Sequence, residues 1–316
     1  MTEFFERACR CPDCRGFPLV FGANEVCCQQ CGAVFPLAFG KPVLVRHDNE
    51  IFPLTSYSDV GSVPAKLRFV GIRKVIPSPS VNLAWKRSFE AFVKLLDGFN
   101  PAYVLVVGSG RQRDRLENVS SLPRNIRFVY ADVDVGATVD LFCDAHELPF
   151  KEQVFHGVIA TALLEHVLYP ELVVAEMYRL LVNGGVVYSE VPFMQQVHEG
   201  AYDFTRYTLS GHRRLFNQFR EISSGLVAGP ATALVWSLEN FASCFMPSAT
   251  LNAGVKLGVR LALGWIKYLD YILQGSPGAS DSASSTYFLG RKEQGFRTPD
   301  KSIIDRYPGS KHIRHV

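Results

Sequence analysis

Apolar residues between positions 8 and 45 come in short groups, PLVF and AVFPLAF among them, parted by Cys, Gly and Pro. Such runs between turn residues predict small strands, and a module of this size needs a cross-link such as a metal to hold its fold. From His47 to about Pro79 no period persists, and DNEIFPLTSYSDVGSVP mixes polar residues with Pro and Gly. This stretch is expected to be a connector packed on the next domain. A helical period opens near Ser80, with Leu83, Phe89, Phe92, Leu95 and Leu96 three or four residues apart.

Strands and helices then alternate. Tyr103–Val107, Arg127–Ala131, Gly157–Thr161 and Gly185–Val191 are short, apolar and rich in β-branched or aromatic residues, as buried parallel strands are. Pro170–Leu181 begins with Pro and is followed by Asn183, Gly184 and Gly185, the start and stop signals of a helix. The repeat predicts right-handed crossovers and a parallel α/β sheet whose ligand crevice lies at the carboxyl ends of its strands. Thr286–Gly290 reads as one more strand. The expected organisation is a module at 1–46, a connector at 47–79, an α/β domain at 80–292 with an amphipathic helical insertion at about 231–275, and a polar tail at 293–316.

Composition adds little about partners. The chain has 316 residues, 47% of them hydrophobic and 20% charged, and a formal net charge of +3; it reads as globular, and without a Lys/Arg run it shows no nucleic-acid arm. The opening MTEFFERACRC lacks the basic start and apolar core of a signal peptide, so the expected location is the cytoplasm. Six of the eight cysteines lie between Cys9 and Cys31, and in a reducing compartment such clustering points to metal. Cys11 and Cys14 form one CxxC pair, and Cys28 and Cys31, after thirteen intervening residues, form the second. Four thiolates suit structural Zn²⁺ in a closed tetrahedral site, a zinc-ribbon-like module. Cys9 and Cys27 compete for ligand places.

The strand Val104–Val107 runs into Gly108, Ser109 and Gly110. Glycines there let backbone approach a nucleotide-like ligand, while Arg113 stands where a dinucleotide fingerprint needs a third Gly. After the second strand comes Asp132, with Asp134 its rival, and twelve residues on comes Asp144 in DAHELPF. With Leu164-Glu165-His166-Val167 and Arg179-Leu-Leu-Val-Asn-Gly-Gly185, this ordered set resembles the class I S-adenosylmethionine-dependent methyltransferases over about Ala102–Phe216. The resemblance implies a Rossmann-like sheet with helices on both faces. It implies that Gly108, Ser109 and Gly110 hold the methionine part of the cofactor, Asp132 the ribose, and Asp144 with Ala145 the adenine. Thr161, closing its strand on the crevice side, joins this set. Val106 and Gln112 stand where the resembling enzymes usually carry an acid and a further glycine.

The acceptor side is sought in the loop after the strand Gly185–Val191, dense in His, Asp, Tyr and Arg from His198 to Tyr207. His198 is the candidate general base, with Asp203 orienting it or sharing the task. His166 is the third candidate. Asp203 and Arg206 could equally form a plain i,i+3 pair. From Leu251 to Leu273, Lys256, Arg260, Lys267 and Asp270 interrupt an apolar stretch and fall on one narrow face of a helix. That charge density excludes a membrane span. It predicts either a helix covering the sheet or a dimer contact, or an interfacial helix giving peripheral membrane contact. The expected function is methylation of a small-molecule or glycan acceptor, at oxygen. Two alternatives are a ribosomal RNA methyltransferase gripping RNA through the ribbon, and a non-catalytic methyltransferase-like partner protein. RNA binding and cofactor calorimetry discriminate among the three.

Overall fold

The computed structural model describes residues 2–57, 78–110, 113, 116 and 122–310. A helix α1 (Thr2–Ala8) leads into an antiparallel ribbon of β1 (Leu19–Phe21), β2 (Glu25–Cys28), β3 (Val34–Ala38) and β4 (Lys41–Pro42), paired in that order. The ribbon does not stand apart. Phe4 stacks on Tyr103 at 4.2 Å, and Phe4, Phe5, Leu19 and Phe35 share one core with Phe150 and Phe155. Arg10 N donates to Pro149 O, and Lys151 N donates to Ala8 O. Past β4 the chain pairs beside Phe142 through Val43 and Leu44, covering what would otherwise be a bare sheet edge.

Helix α2 (Trp85–Lys94) starts later than the periodicity from Ser80 suggests, because Asn82 Oδ1 accepts from the N–H groups of Ala84 and Trp85 and caps it there. Then follow β5 (Ala102–Val107), β6 (Ile126–Asp132), β7 (Leu141–Phe142), β8 (Phe155–Thr161), α3 (Pro170–Leu180), β9 (Leu181–Pro192), α4 (Leu209–Leu215) and β10 (Phe219–Ala228). A helical lobe comes next: α5 (Pro230–Ser243), α6 (Ala249–Leu263), a 3-10 turn (Gly264–Leu269), α7 (Asp270–Leu273) and α8 (Pro277–Asp281). The last elements are β11 (Ser285–Lys292) and α9 (Asp300–Asp305).

The seven-stranded sheet runs β10-β11-β9-β8-β5-β6-β7, parallel from β9 to β7, with β11 antiparallel to both its neighbours. This is the Rossmann-like α/β sheet expected from the sequence, with helices on both faces. Strand alternation assigns the faces: Leu105 and Val107 pack with α3 and the ribbon, Val104 and Val106 with α2. The chain leaves β5 toward β6 on one side and β8 lies on the other, which opens a crevice at the carboxyl ends of these strands.

The helical lobe corrects the reading of residues 251–273. They do not form one helix, and three of the four charges point inward. Arg260 pairs with the buried Glu239 at 2.7 Å through Nε and Nη2. Lys267 donates to Ser78 O, and Asp270 accepts from Gly229 N, Ala231 N and Thr232 N at 2.8–3.0 Å, capping α5. Each partner lies far off in sequence, so the charged face marked out by helical spacing is largely a packed one. Trp265 (60% exposed) and Ile272 (79%) face outward instead. Among the described residues no helix is long and apolar enough to cross a membrane.

Candidate active site

The turn after β5 is built on two glycines in the left-handed region, Gly108 at φ +65° and Gly110 at φ +47°. A Cβ on Gly108 would also lie 2.7 Å from Leu163 Cδ1. Gly110 N donates to Asp132 Oδ2 at 2.7 Å, and Asp134 N donates to Asp132 Oδ1 at 2.9 Å. Asp132 therefore fixes the glycine turn as well as closing β6. Burial pushes its carboxyl above the usual range, against backbone hydrogen bonds that pull it down.

Gly108, Gly110, Asp132, Asp144 and Ala145 border one cavity of about 870 Å³, a size that admits a nucleoside-bearing ligand. Ser109 and Thr161, expected on this wall, are buried beneath it, and Ala162 and Leu163 line it instead. A residue facing away at a strand end cannot be told from one facing in by its position alone. Gln112 lies outside the described residues, and Val106 is buried within β5.

Asp144 caps the 3-10 turn Ala145–Glu147 by accepting from His146 N at 2.9 Å. His146 Nδ1 lies 2.7 Å from the same oxygen, and Asn49 Nδ2 donates to the other at 2.9 Å. Burial pushes this carboxyl up, but the hydrogen bonds and charge of His146 outweigh it and hold it below the usual range. The connector thus takes part in the site. Phe52 and Tyr57 line the cavity, and Tyr57 Oη donates to Val133 O at 2.7 Å. Sequence reading found no role for these three residues, whose stretch has no period to mark it.

On the opposite wall His166 and His198 meet, Nε2 to Nε2, at 3.1 Å. The His166 Nδ1 lies 2.7 Å from Tyr202 O; the His198 Nδ1 lies 3.3 Å from Gln196 O and 3.4 Å from Asp203 Oδ2. Glu165, which sequence reading quoted only as part of LEHV, is 1% exposed, and its Oε1 stands 3.7 and 3.9 Å from the two Nε2 atoms. Neither of its oxygens makes a hydrogen bond, and burial pushes its carboxyl up to about 7. Asp203 is gripped by both terminal nitrogens of Arg206, which hold it at about 2, and it accepts from His198 N at 3.0 Å. A carboxylate so held does not take up protons near neutrality, and through its bond to His198 N it fixes the backbone there.

The four expected thiols converge. Cys11, Cys14, Cys28 and Cys31 place their sulfurs within 4.8 Å of one another, with Cys11–Cys31 and Cys14–Cys28 both 3.7 Å apart. The edge of a tetrahedron with 2.3 Å metal–sulfur bonds is about 3.8 Å. Arg15 and Gly32, each following the second cysteine of its pair, turn through positive φ and close the two loops. Cys9 is buried against Phe150 and Cys27 faces Glu25, so neither competes. Two ion pairs tie this module to the cavity: Arg15 and Arg46 reach Glu147 at 3.0 and 3.4 Å.

Residues 121–189, which run from before β6 into β9, match the family model described as a methyltransferase domain. A search of curated proteins finds no match. Solved structures similar to the chain include a phosphoethanolamine N-methyltransferase from Haemonchus contortus, solved with phosphomonomethylethanolamine and S-adenosylhomocysteine (14% identity, TM-score 0.45). The likeness covers 68% of this chain and 54% of that one, so the chain spans about half its length. A putative sarcosine dimethylglycine methyltransferase from Galdieria sulphuraria gives 15% identity, TM-score 0.42 and coverages of 66% and 84%. A complex of the Haloferax volcanii Trm112 methyltransferase activator with a putative methyltransferase gives 15%, 0.41, 67% and 92%.

Proposed function

We propose that the chain is an S-adenosylmethionine-dependent methyltransferase acting on an oxygen of a small-molecule acceptor. The observation that carries this reading is the convergence of Gly108, Gly110, Asp132, Asp144 and Ala145 on one cavity at the carboxyl ends of the parallel strands. The methyltransferase-domain match over residues 121–189 supports it. The cofactor, when bound, supplies an electrophilic methyl group on a sulfonium. The glycine turn admits its amino-acid part without a Cβ in the way, Asp132 accepts from the ribose hydroxyls, and Ala145 with Asp144 borders the adenine. Transfer then depends on alignment and on removal of the acceptor's proton. His198 presents Nε2 to that hydroxyl, and Asp203, locked by Arg206, positions the loop.

Calorimetry tests the reading directly. One equivalent of S-adenosylmethionine binds the native chain, and Asp132→Ala weakens binding by about ten- to hundred-fold, as loss of a charged hydrogen-bond acceptor does. Absence of binding to the native chain overturns it. The four thiols are read as a structural Zn²⁺ site, closed and without an open position. The outward apolar face of the helical lobe favours peripheral contact with lipid, in keeping with its exposed Trp265, Tyr268 and Ile272. Flotation with anionic vesicles tests this, and a chain that stays at the bottom of the gradient counts against it.

A further inference from the structure

We infer that Glu165, His166 and His198 bind one divalent transition-metal ion on the wall of the cavity. Both imidazoles face acceptors at Nδ1: Tyr202 O for His166, and Gln196 O with Asp203 Oδ2 for His198. A proton on each Nδ1 satisfies those contacts and leaves both Nε2 atoms as lone pairs. Those two lone pairs then confront each other at 3.1 Å, with the Glu165 Oε1 at 3.7 and 3.9 Å. Three acceptors without a donor repel one another, and a cation among them turns that repulsion into ligation. Among the described residues the buried Glu165 carboxylate has no hydrogen-bond partner on another residue, and its Oε1 faces the two Nε2 atoms.

The distances suit an ion. Bonds of about 2.1 Å set ligand separations of about 3.0 Å in an octahedron and about 3.4 Å in a tetrahedron; the imidazole pair at 3.1 Å falls in this range, and the carboxylate oxygen at 3.7 and 3.9 Å reaches it by moving in about 0.5 Å. Two imidazoles and one carboxylate favour the zinc, iron, cobalt and nickel class over Mg²⁺ and Ca²⁺, which prefer all-oxygen shells. The outer shell is in place as well. Tyr202 O and Gln196 O receive the distal N–H groups, with Asp203 Oδ2 beside the second at 3.4 Å, which fixes the tautomers and turns the rings. Three protein ligands leave coordination positions open, and His166 and His198 both line the cavity, so an acceptor oxygen could complete the shell. This rests on the reading of the acceptor side and changes one role in it: with the ion bound, His198 Nε2 is a ligand, and the ion, not His198, would lower the pKa of the acceptor hydroxyl; the binding itself requires no S-adenosylmethionine.

Cobalt titration of the full chain carrying a single equivalent of zinc, which the four thiols take first, tests it. One equivalent of Co²⁺ binds with a d–d absorption and no thiolate charge-transfer band, while Mg²⁺ at the same concentration does not compete. Glu165→Gln and His166→Ala abolish the signal with the cysteine-bound zinc and the thermal transition retained, and Asp203→Asn weakens binding about ten-fold. No saturable cobalt binding by the native chain overturns the inference, as does a thiolate band alone or undiminished binding in both ligand variants. The native-chain result stands even if a variant fails to fold. S-adenosylmethionine calorimetry on the same sample separates the two readings: cofactor binding without cobalt binding removes the ion and leaves the methyltransferase.

Discussion

The chain holds two convergences of metal-ligating atoms, and they differ in closure. The thiol cluster gathers four potential donors from two turns of the ribbon, set away from the cavity. The second gathers three donors, Glu165, His166 and His198, two of which line the cavity. Four like ligands saturate a tetrahedral ion and leave it only a folding task; three ligands leave places for something else. The sheet accounts for the placement. The ribbon packs with α3 on one face of the strands, whereas the histidines stand on loops at their carboxyl ends, where the crevice opens.

The largest expected effect tests the closed site. Cys28→Ser removes a ligand, and prolonged chelation the ion, from a cluster whose flanking residues share the core of the α/β domain. A loss on the order of several kcal/mol should follow, since metal binding in such modules is folding free energy. Denaturant unfolding with and without zinc measures it, and an unchanged midpoint would make the cluster an ornament of the ribbon.

A smaller effect belongs to the open site. Arg206→Ala strips Asp203 of its partner and frees the carbonyls of Gln195 and Gln196. The cost is about 2–3 kcal/mol, below the range for a fully buried pair because Arg206 is partly exposed. Turnover should fall much further than cofactor affinity. Equal losses in both would show that the loop supports the whole cavity and not the acceptor side.

The smallest effect uses a third histidine as the contrast. His212 is fully buried with both ring nitrogens occupied, by Thr286 Oγ1 at 3.1 Å and Ser189 Oγ at 3.2 Å. Burial pulls its pKa down to about 3. A depressed folded value means the neutral form is the one that fits, so this stability is complete above about pH 6.5 and drains away as the pH falls toward 3. Between pH 7 and pH 5 the loss approaches about 2 kcal/mol. Unfolding curves at the two pH values measure it, and His212→Gln should flatten the dependence. A variant as acid-sensitive as the native chain would place the titrating group elsewhere.

What was legible in the sequence follows the range of the interactions. The CxxC pairs and the glycine turn are local, so spacing alone brought Cys11, Cys14, Cys28, Cys31, Gly108 and Gly110 to their places. Strands β5, β6, β8, β9 and β11 were legible because burial on both faces makes them apolar runs. β10 was not, since an edge strand reading FREISSGLVA carries polar residues throughout. Glu165 escaped because its meaning depends on His198, thirty-three residues on. The inward charges of the helical lobe escaped for the same reason: Arg260, Lys267 and Asp270 are explained only by Glu239, Ser78 and the start of α5.

The joint between the ribbon and the sheet leaves no convenient place to cut. Trimming the chain at residue 46 to obtain a shorter protein would strip Phe4 from Tyr103 and Phe155, uncover the Phe142 edge, and release Glu147 from both arginines that hold it. Glu147 ends the turn that begins with Asp144 and Ala145. A shortened version would therefore lose part of its core and the shape of the cavity wall together.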